Sequence, residues 1–335
     1  MKFVTRYLVP RLIQYCLVVF VGLTVVFFVP RLMPSDPVLQ TLYVITAQSG
    51  SINPEAAEEM ANTMRGLYGL EAGLLEQYGL FWKRLFTGDF GPSFFMFPTP
   101  VTQLIGKHLL WTIGLLVTTT VLSWVIGNIL GGLTAYFSRF RLLKVFDTLA
   151  MFIRPIPYYI MALVLIIAFG YLVPIFPIRG GFPIGVRIAF TWRTIWLILK
   201  HGFLPALSLT LLGSAVWHQM MRLVAQGVKD EDYVQYAKIA SIKERIIFRR
   251  YVMRNAMLPQ ITGLTIALGE IFSGALIVEI VFSYPGIGHL LFRAILGGDY
   301  NLIMGIATIS IVAIATGVLI IDLLYPLFDP RIRYR

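Results

Sequence analysis

The chain has 335 residues, 57% of them hydrophobic and only 13% charged, with a net charge of +11. A soluble globular domain carries about 45–50% apolar and about 25% charged residues, so this composition excludes an ordinary soluble domain and points to a membrane protein. There the positive excess collects in cytoplasmic loops and calls for no nucleic acid, while a single cysteine, Cys16, excludes a disulfide framework and a thiolate metal site.

A membrane-crossing helix needs about 20 predominantly apolar residues, because it climbs about 1.5 Å per residue through about 30 Å of hydrocarbon. Six segments qualify: 12–30, 109–137, 149–173, 203–223, 261–282 and 302–328. The first follows Lys2, Arg6 and Arg11 and leaves through "FFVPRLMPSDP", which has no A-x-A-like cleavage site. It reads as a retained signal anchor. The stretch 33–108 is then a large external segment. The second span is free of charge, and its Gly127, Gly131 and Gly132 suit close helix packing. The third holds Arg154 and is followed by a Pro/Gly-rich loop, 174–201. The fifth holds Glu270 and Glu279, and the sixth Asp322.

Charge between the spans sets the orientation. With the N-terminus inside, seventeen Lys and Arg fall on the cytoplasmic side in short stretches: Lys2, Arg6 and Arg11, then Arg139, Arg141 and Lys144, then eight from Arg222 to Arg254, then Arg331, Arg333 and Arg335. Ten lie outside, spread over longer loops. Both termini are therefore expected in the cytoplasm. The chain divides into residues 1–108, one span plus the external segment, and residues 109–335, a five-helix core with a cytoplasmic loop at about 225–258. No phosphate-cradling G-x-x-x-x-G-K-[ST], no H-E-x-x-H and no G-x-S-x-G occurs, and the four histidines are scattered. The expectation is a protein that is not an enzyme and binds no metal or cofactor itself.

The loop "DYVQYAKIASIKERIIFRRYVMRNAMLP", residues 232–259, is out of keeping with the rest. It has no glycine or proline before Pro259, and Ile239, Ile242 and Ile246 form one stripe with Lys238, Arg245 and Arg249 on another, so it reads as an amphipathic helix. Two uses remain open. Such a helix can lie on anionic headgroups or insert its apolar face into a groove on a partner protein. Proline is tolerated in a first helical turn, so Pro259 is expected to open the fifth span with Asn255 capping nearby. A push on the loop would then move the span.

This string resembles the "EAA" loop of ABC-importer permeases, in its dipeptide/oligopeptide/nickel version. The resemblance rests on Asp232-Tyr233-Val234, Ala237 and Arg254-Asn255-Ala256-Met257-Leu258-Pro259. Ser241 stands where that family usually has glycine, and serine is less free to adopt φ > 0. The likeness extends along the chain through "MPSDP" (33–37), "TGDFGPSF" (87–94), "FSYPGIG" (282–288) and "LLYPLFDPRIRY" (323–334). It is nearest to the first of two permease subunits. It implies an all-α, six-span type I importer permease in a bacterial or archaeal inner membrane, working by alternating access. Its implied partners are a second permease, two cytoplasmic ATPase domains that bind ATP and Mg, an external substrate-binding protein, and membrane lipid. Ala237, Ser241, Ile242, Glu244 and Pro259 are the implied coupling residues. Arg245, Arg249 and Arg250 would contact headgroups or the ATPase, and Glu270 and Glu279 are candidates for the pathway. Small peptides are the expected cargo, oligosaccharides or nickel the neighbouring alternatives, and a stand-alone channel or membrane scaffold the different class.

Overall fold

The computed structural model describes residues 8–32, 72–94, 96–183, 185, 191–269, 271 and 275–328, with isolated positions at 38, 58, 59, 61–63, 65 and 66. Lys2, Arg6, the 33–37 motif, Glu270 and the terminal Arg331, Arg333 and Arg335 lie outside the described residues. The described elements are helical, and they fall into two compact units, Ile113–Pro285 and Met1–Thr112 with Gly286–Arg335.

The second of these units joins the two ends of the chain. Its helices are α1 (Val9–Leu32), α2 (Leu74–Thr87), the first part of α3 (Val101–Tyr136), and the two helices Ile287–Leu296 and Tyr300–Phe328. Val9–Leu32 lies along Tyr300–Phe328, with Gly22 set against Ile311 so closely that a Cβ would stand 3.1 Å from it. The pair is tied by Arg11 to Asp322 at 3.1 Å and by the Tyr15 and Thr316 hydroxyls at 3.2 Å. Phe27 is buried among Leu23, Phe81 and the rings of Phe28 and Tyr78, so α2 of the 33–108 segment packs on the first span. The 87–94 motif explains itself in this unit. Gly88 (φ 69°) ends α2 in the left-handed conformation, Asp89 Oδ1 accepts from the Gly91 amide at 2.9 Å, and Ser93 donates to the fully buried Asp299. Asp299 caps the last helix by accepting from the Leu302 amide at 3.0 Å, as an N-cap aspartate does.

The contiguous unit holds the rest of α3, then α4 (Arg141–Ile153), α5 (Tyr158–Ile166) continued by a π-helical stretch Ile167–Leu172, and α6 (Trp192–Lys229). After these come α7 (Asp232–Ile239), a single turn α8 (Glu244–Ile246), a π-helical stretch Ile247–Met253, α9 (Arg254–Gly269) and α10 (Leu276–Val281). In the other unit, Ile287–Leu296 is α11 and Tyr300–Phe328 is α12. The glycines of α3 do pack it closely on α6. A Cβ on Gly127 would stand 2.5 Å from the Trp217 Cβ, and one on Gly131 only 2.4 Å from the His218 carbonyl oxygen.

Two sequence expectations need correction. The third span, 149–173, is not one straight helix: α4 and the α5 run meet at a 108° bend across Arg154–Pro157. Pro155 and Pro157 supply the reason, since each lacks an N–H and restricts the residue before it. The fifth, 261–282, is not one helix either, because Ala275 has φ −103° and ψ 58° and α10 begins anew at Leu276. Among the described residues four helices are long and apolar enough to cross a membrane, or five with the bent pair counted as one.

Candidate functional site

The 232–259 string folds as two helices with a sharp turn between them. The turn is a Schellman C-cap: the Ile242 amide donates to the Ala237 carbonyl at 3.1 Å and the Ser241 amide to Lys238 at 2.9 Å. Ser241 takes the left-handed position with φ 56°, which is why glycine is the easier residue there. Ile242 and Ala237 then meet, as the hydrophobic contact of that motif requires. The single continuous helix expected from the isoleucine spacing is thereby broken. Its stripe is not a core face either: Ile239 is 78% exposed and Ile246 40%.

What is buried follows a different pattern. Val234 and Ala237 of α7, Ile247 and Val252 of the π stretch and Ala256 of α9 form one core with Met221 and Ala225 of α6 and Ala135 and Tyr136 of α3. The two ends of the string touch, since Asn255 donates to the Tyr233 hydroxyl at 3.1 Å and to the Tyr251 carbonyl at 2.7 Å. Asn255 is therefore a tie between α7 and α9 rather than a cap. Pro259 is also displaced from its expected place. The helical path runs unbroken from Glu244 to Gly269, which puts Pro259 in its interior. There it leaves the Asn255 carbonyl without its i+4 donor.

Glu244 stands on the surface of this unit but is held, because the Tyr136 hydroxyl donates to its carboxylate. Lys229 Nζ covers the same end of α3, 3.5 and 3.4 Å from the carbonyls of Ala135 and Tyr136 and 5.7 Å from the Tyr136 ring. A cation there complements the helix C-terminus. Tyr136, Lys229 and the Tyr233–Asn255 tie were missed in the sequence, since nothing in the spacing links Tyr136 to Glu244, 108 positions on, or Tyr233 to Asn255, 22 positions on. The surface left open on α7 consists of Tyr233, Tyr236 and Ile239, at i, i+3 and i+6, with Tyr236 70% exposed.

The same unit contains a cavity of about 530 Å³ lined mainly by apolar groups, with the hydroxyls of Thr119, Thr120, Ser123 and Tyr158 and the ring of Trp217. Glu279 is fully buried and is not among the lining residues. It lies just before the turn Phe282–Pro285, where its carbonyl accepts from the Tyr284 amide at 2.8 Å. Burial and the Glu279 charge push the Tyr284 phenol up to about 12, so it stays protonated at any physiological pH. Arg154 donates to Gln219 and does not serve Glu279.

Several long apolar helices, a small-residue helix seam and a compact two-helix knob fixed to one of them define a polytopic membrane protein. Residues 127–334 match the family described as the binding-protein-dependent transport system inner membrane component, and the chain belongs to that family. It is 30% identical over 318 residues to the oligopeptide transport system permease protein AppB of Bacillus subtilis, covering 94% of this chain and 96% of that protein. It is 24% identical over 328 residues to the dipeptide transport system permease protein DppB of Lactococcus lactis, covering 98% and 99%. A DppB of Alkalihalophilus pseudofirmus is 29% identical over 335 residues.

Proposed function

We propose that the chain is one of two permease subunits of an ATP-driven, binding-protein-dependent importer of di- and oligopeptides in a bacterial or archaeal cytoplasmic membrane. The cargo is carried over from relatives named as dipeptide and oligopeptide permeases. Six passages are counted as α1, α3, the bent α4–α5 pair, α6, the α9–α10 pair and α12, with both termini cytoplasmic, as the Lys/Arg distribution favours. Residues 33–108 form the external segment and 109–335 the core. ATP and Mg belong to two partner ATPase domains, an external binding protein delivers the peptide, and a second permease completes the path.

The observation that carries this reading is the α7 knob. It offers Tyr236 and Ile239 outward while Val234, Ala237 and the Tyr233–Asn255 bond fix it to α9. An amphipathic helix presenting such anchors suits a groove on a partner. Ala237 keeps α7 close to the core, Ser241 and Ile242 form the turn, and Glu244 holds the second helix to α3. Displacing the knob would then carry α9, with Pro259 in its interior, and change the cavity beside Thr119, Ser123 and Tyr158. Two-state alternating access needs such a differential contact.

The test is co-purification in mild detergent followed by transport in proteoliposomes. ATPase subunits are expected to accompany the wild-type chain. Tyr236→Asp and Ile239→Asp should each cut their retention and peptide-stimulated ATP hydrolysis at least fivefold, with membrane insertion unchanged. A chain that elutes as a homo-oligomer without ATPase, or variants that couple normally, would sink the proposal in favour of a channel or scaffold.

A further inference from the structure

The segment 244–254 winds partly as a π-helix, and this register changes where its arginines point. Ile247 and Val252 are five residues apart and both fully buried. In an α-helix that spacing is about 1.4 turns and would point the two in different directions, whereas i→i+5 winding brings them onto one face. The arginines follow the complementary set. Arg245, Arg249, Arg250 and Arg254 follow one another at intervals of four, one and four, and all four are exposed. In plain α-helix Arg245 and Arg254 would lie about two and a half turns apart, on opposite sides. In the wider winding they are about two turns apart, so the four gather opposite Ile247 and Val252. Among the described residues none of the four has a carboxylate partner, and the nearest acid in sequence, Glu244, is engaged by Tyr136.

We infer that this four-arginine face is a binding site for anionic phospholipid headgroups, created by the π-helical register. The inference rests on the importer reading only in placing the segment on the cytoplasmic side. Position favours lipid over protein. Arg254 is the last charge before residues 255–269, fifteen uncharged residues that enter the bundle as α9, so the face stands where a helix meets the headgroup layer. Arginine stems lie along apolar surface while their guanidinium groups reach phosphate, and the planar fork matches phosphate oxygens. The protein-facing features are elsewhere, on Tyr236 and Ile239 of α7, and carry no charge.

The test uses the full-length purified chain, titrated with phosphatidylglycerol and, separately, phosphatidylcholine, with bound lipid counted by native mass spectrometry. Each guanidinium removed from a face that gathers several around one headgroup should weaken anionic-lipid affinity about fivefold, whereas cations not so gathered should matter little. The variant Arg245→Gln/Arg249→Gln/Arg250→Gln/Arg254→Gln is expected to lose phosphatidylglycerol affinity at least tenfold, with phosphatidylcholine unaffected. The control Arg139→Gln/Arg141→Gln/Lys144→Gln should lose less than threefold. If the fourfold variant does not extract as a folded chain, Arg249→Gln/Arg250→Gln makes the same comparison. Equal losses in variant and control, or none, overturn the inference. So does a variant that keeps phosphatidylglycerol but loses ATPase subunits, because the face would then meet an acidic protein. A wild-type chain that binds phosphatidylglycerol through these arginines but retains no ATPase upholds the inference while removing the importer reading.

Discussion

Ser241 shows how one residue can be placed by its backbone rather than its side chain. It holds φ 56° inside two turn-closing hydrogen bonds, a conformation that costs an L-residue about 1–2 kcal/mol and glycine almost nothing. Ser241→Gly is expected to raise stability by about 0.5–1 kcal/mol, read as a higher thermal midpoint of the detergent-solubilised chain. Ser241→Val, branched at Cβ, should lower it by at least as much. A midpoint that moves the other way in either variant would mean that the turn is not the one described. The sequence offered the position, through its likeness to a family that uses glycine there, but not the outcome, because side-chain identity alone does not fix φ.

At the scale of elements, the legible parts were those with a strong local signal. Long uncharged runs marked α1, α3, α6 and α12, whereas Pro155 and Pro157, which set the bend before α5, lay inside a segment read as one span. Hydropathy could not show that α4 and α5 diverge by 108°, since the apolar residues 149–153 and 158–173 flank the bend on both sides. It also could not reveal π winding, which arises from packing Ile247 and Val252 against α3 and α6 rather than from any residue preference. The α3–α6 seam yields the sharpest prediction here. A Cβ at Gly131 would overlap the His218 carbonyl, a backbone atom that cannot rotate away. Gly131→Leu should therefore separate the helices and cost about 3 kcal/mol or more, where overpacking in a yielding core costs about 1–3. The assay is the monodisperse fraction after extraction, with Gly114→Leu, whose Cβ meets nothing within 4 Å, as the tolerant control.

For the whole molecule, composition gave the class, the expected orientation came from charge, and the expected partners came from the family likeness. The candidate site was only half readable. Its outward groups are in the 232–259 string, but what holds them is not: Tyr136, Lys229 and Met221 come from other helices. The division into units adds a statement about order in time. Residues 113–285 are contiguous, whereas the other unit needs the first 112 residues and the last 50 together. Ser93 meets its buried acceptor 206 positions later, and α1 finds α12 only after almost the entire chain exists. A ribosome-released chain ending at 285 should thus keep a protease-resistant 113–285 region, while trypsin cuts α2 after the exposed Lys83 faster than in the full-length chain, because the Phe27–Phe81 cluster that seats α2 has lost Ile311. Equal protection of α2 in both chains would contradict this. The α1–α12 contact can therefore close only after residues 113–285 have been made, so the two helices farthest apart in the sequence are among the last to be joined.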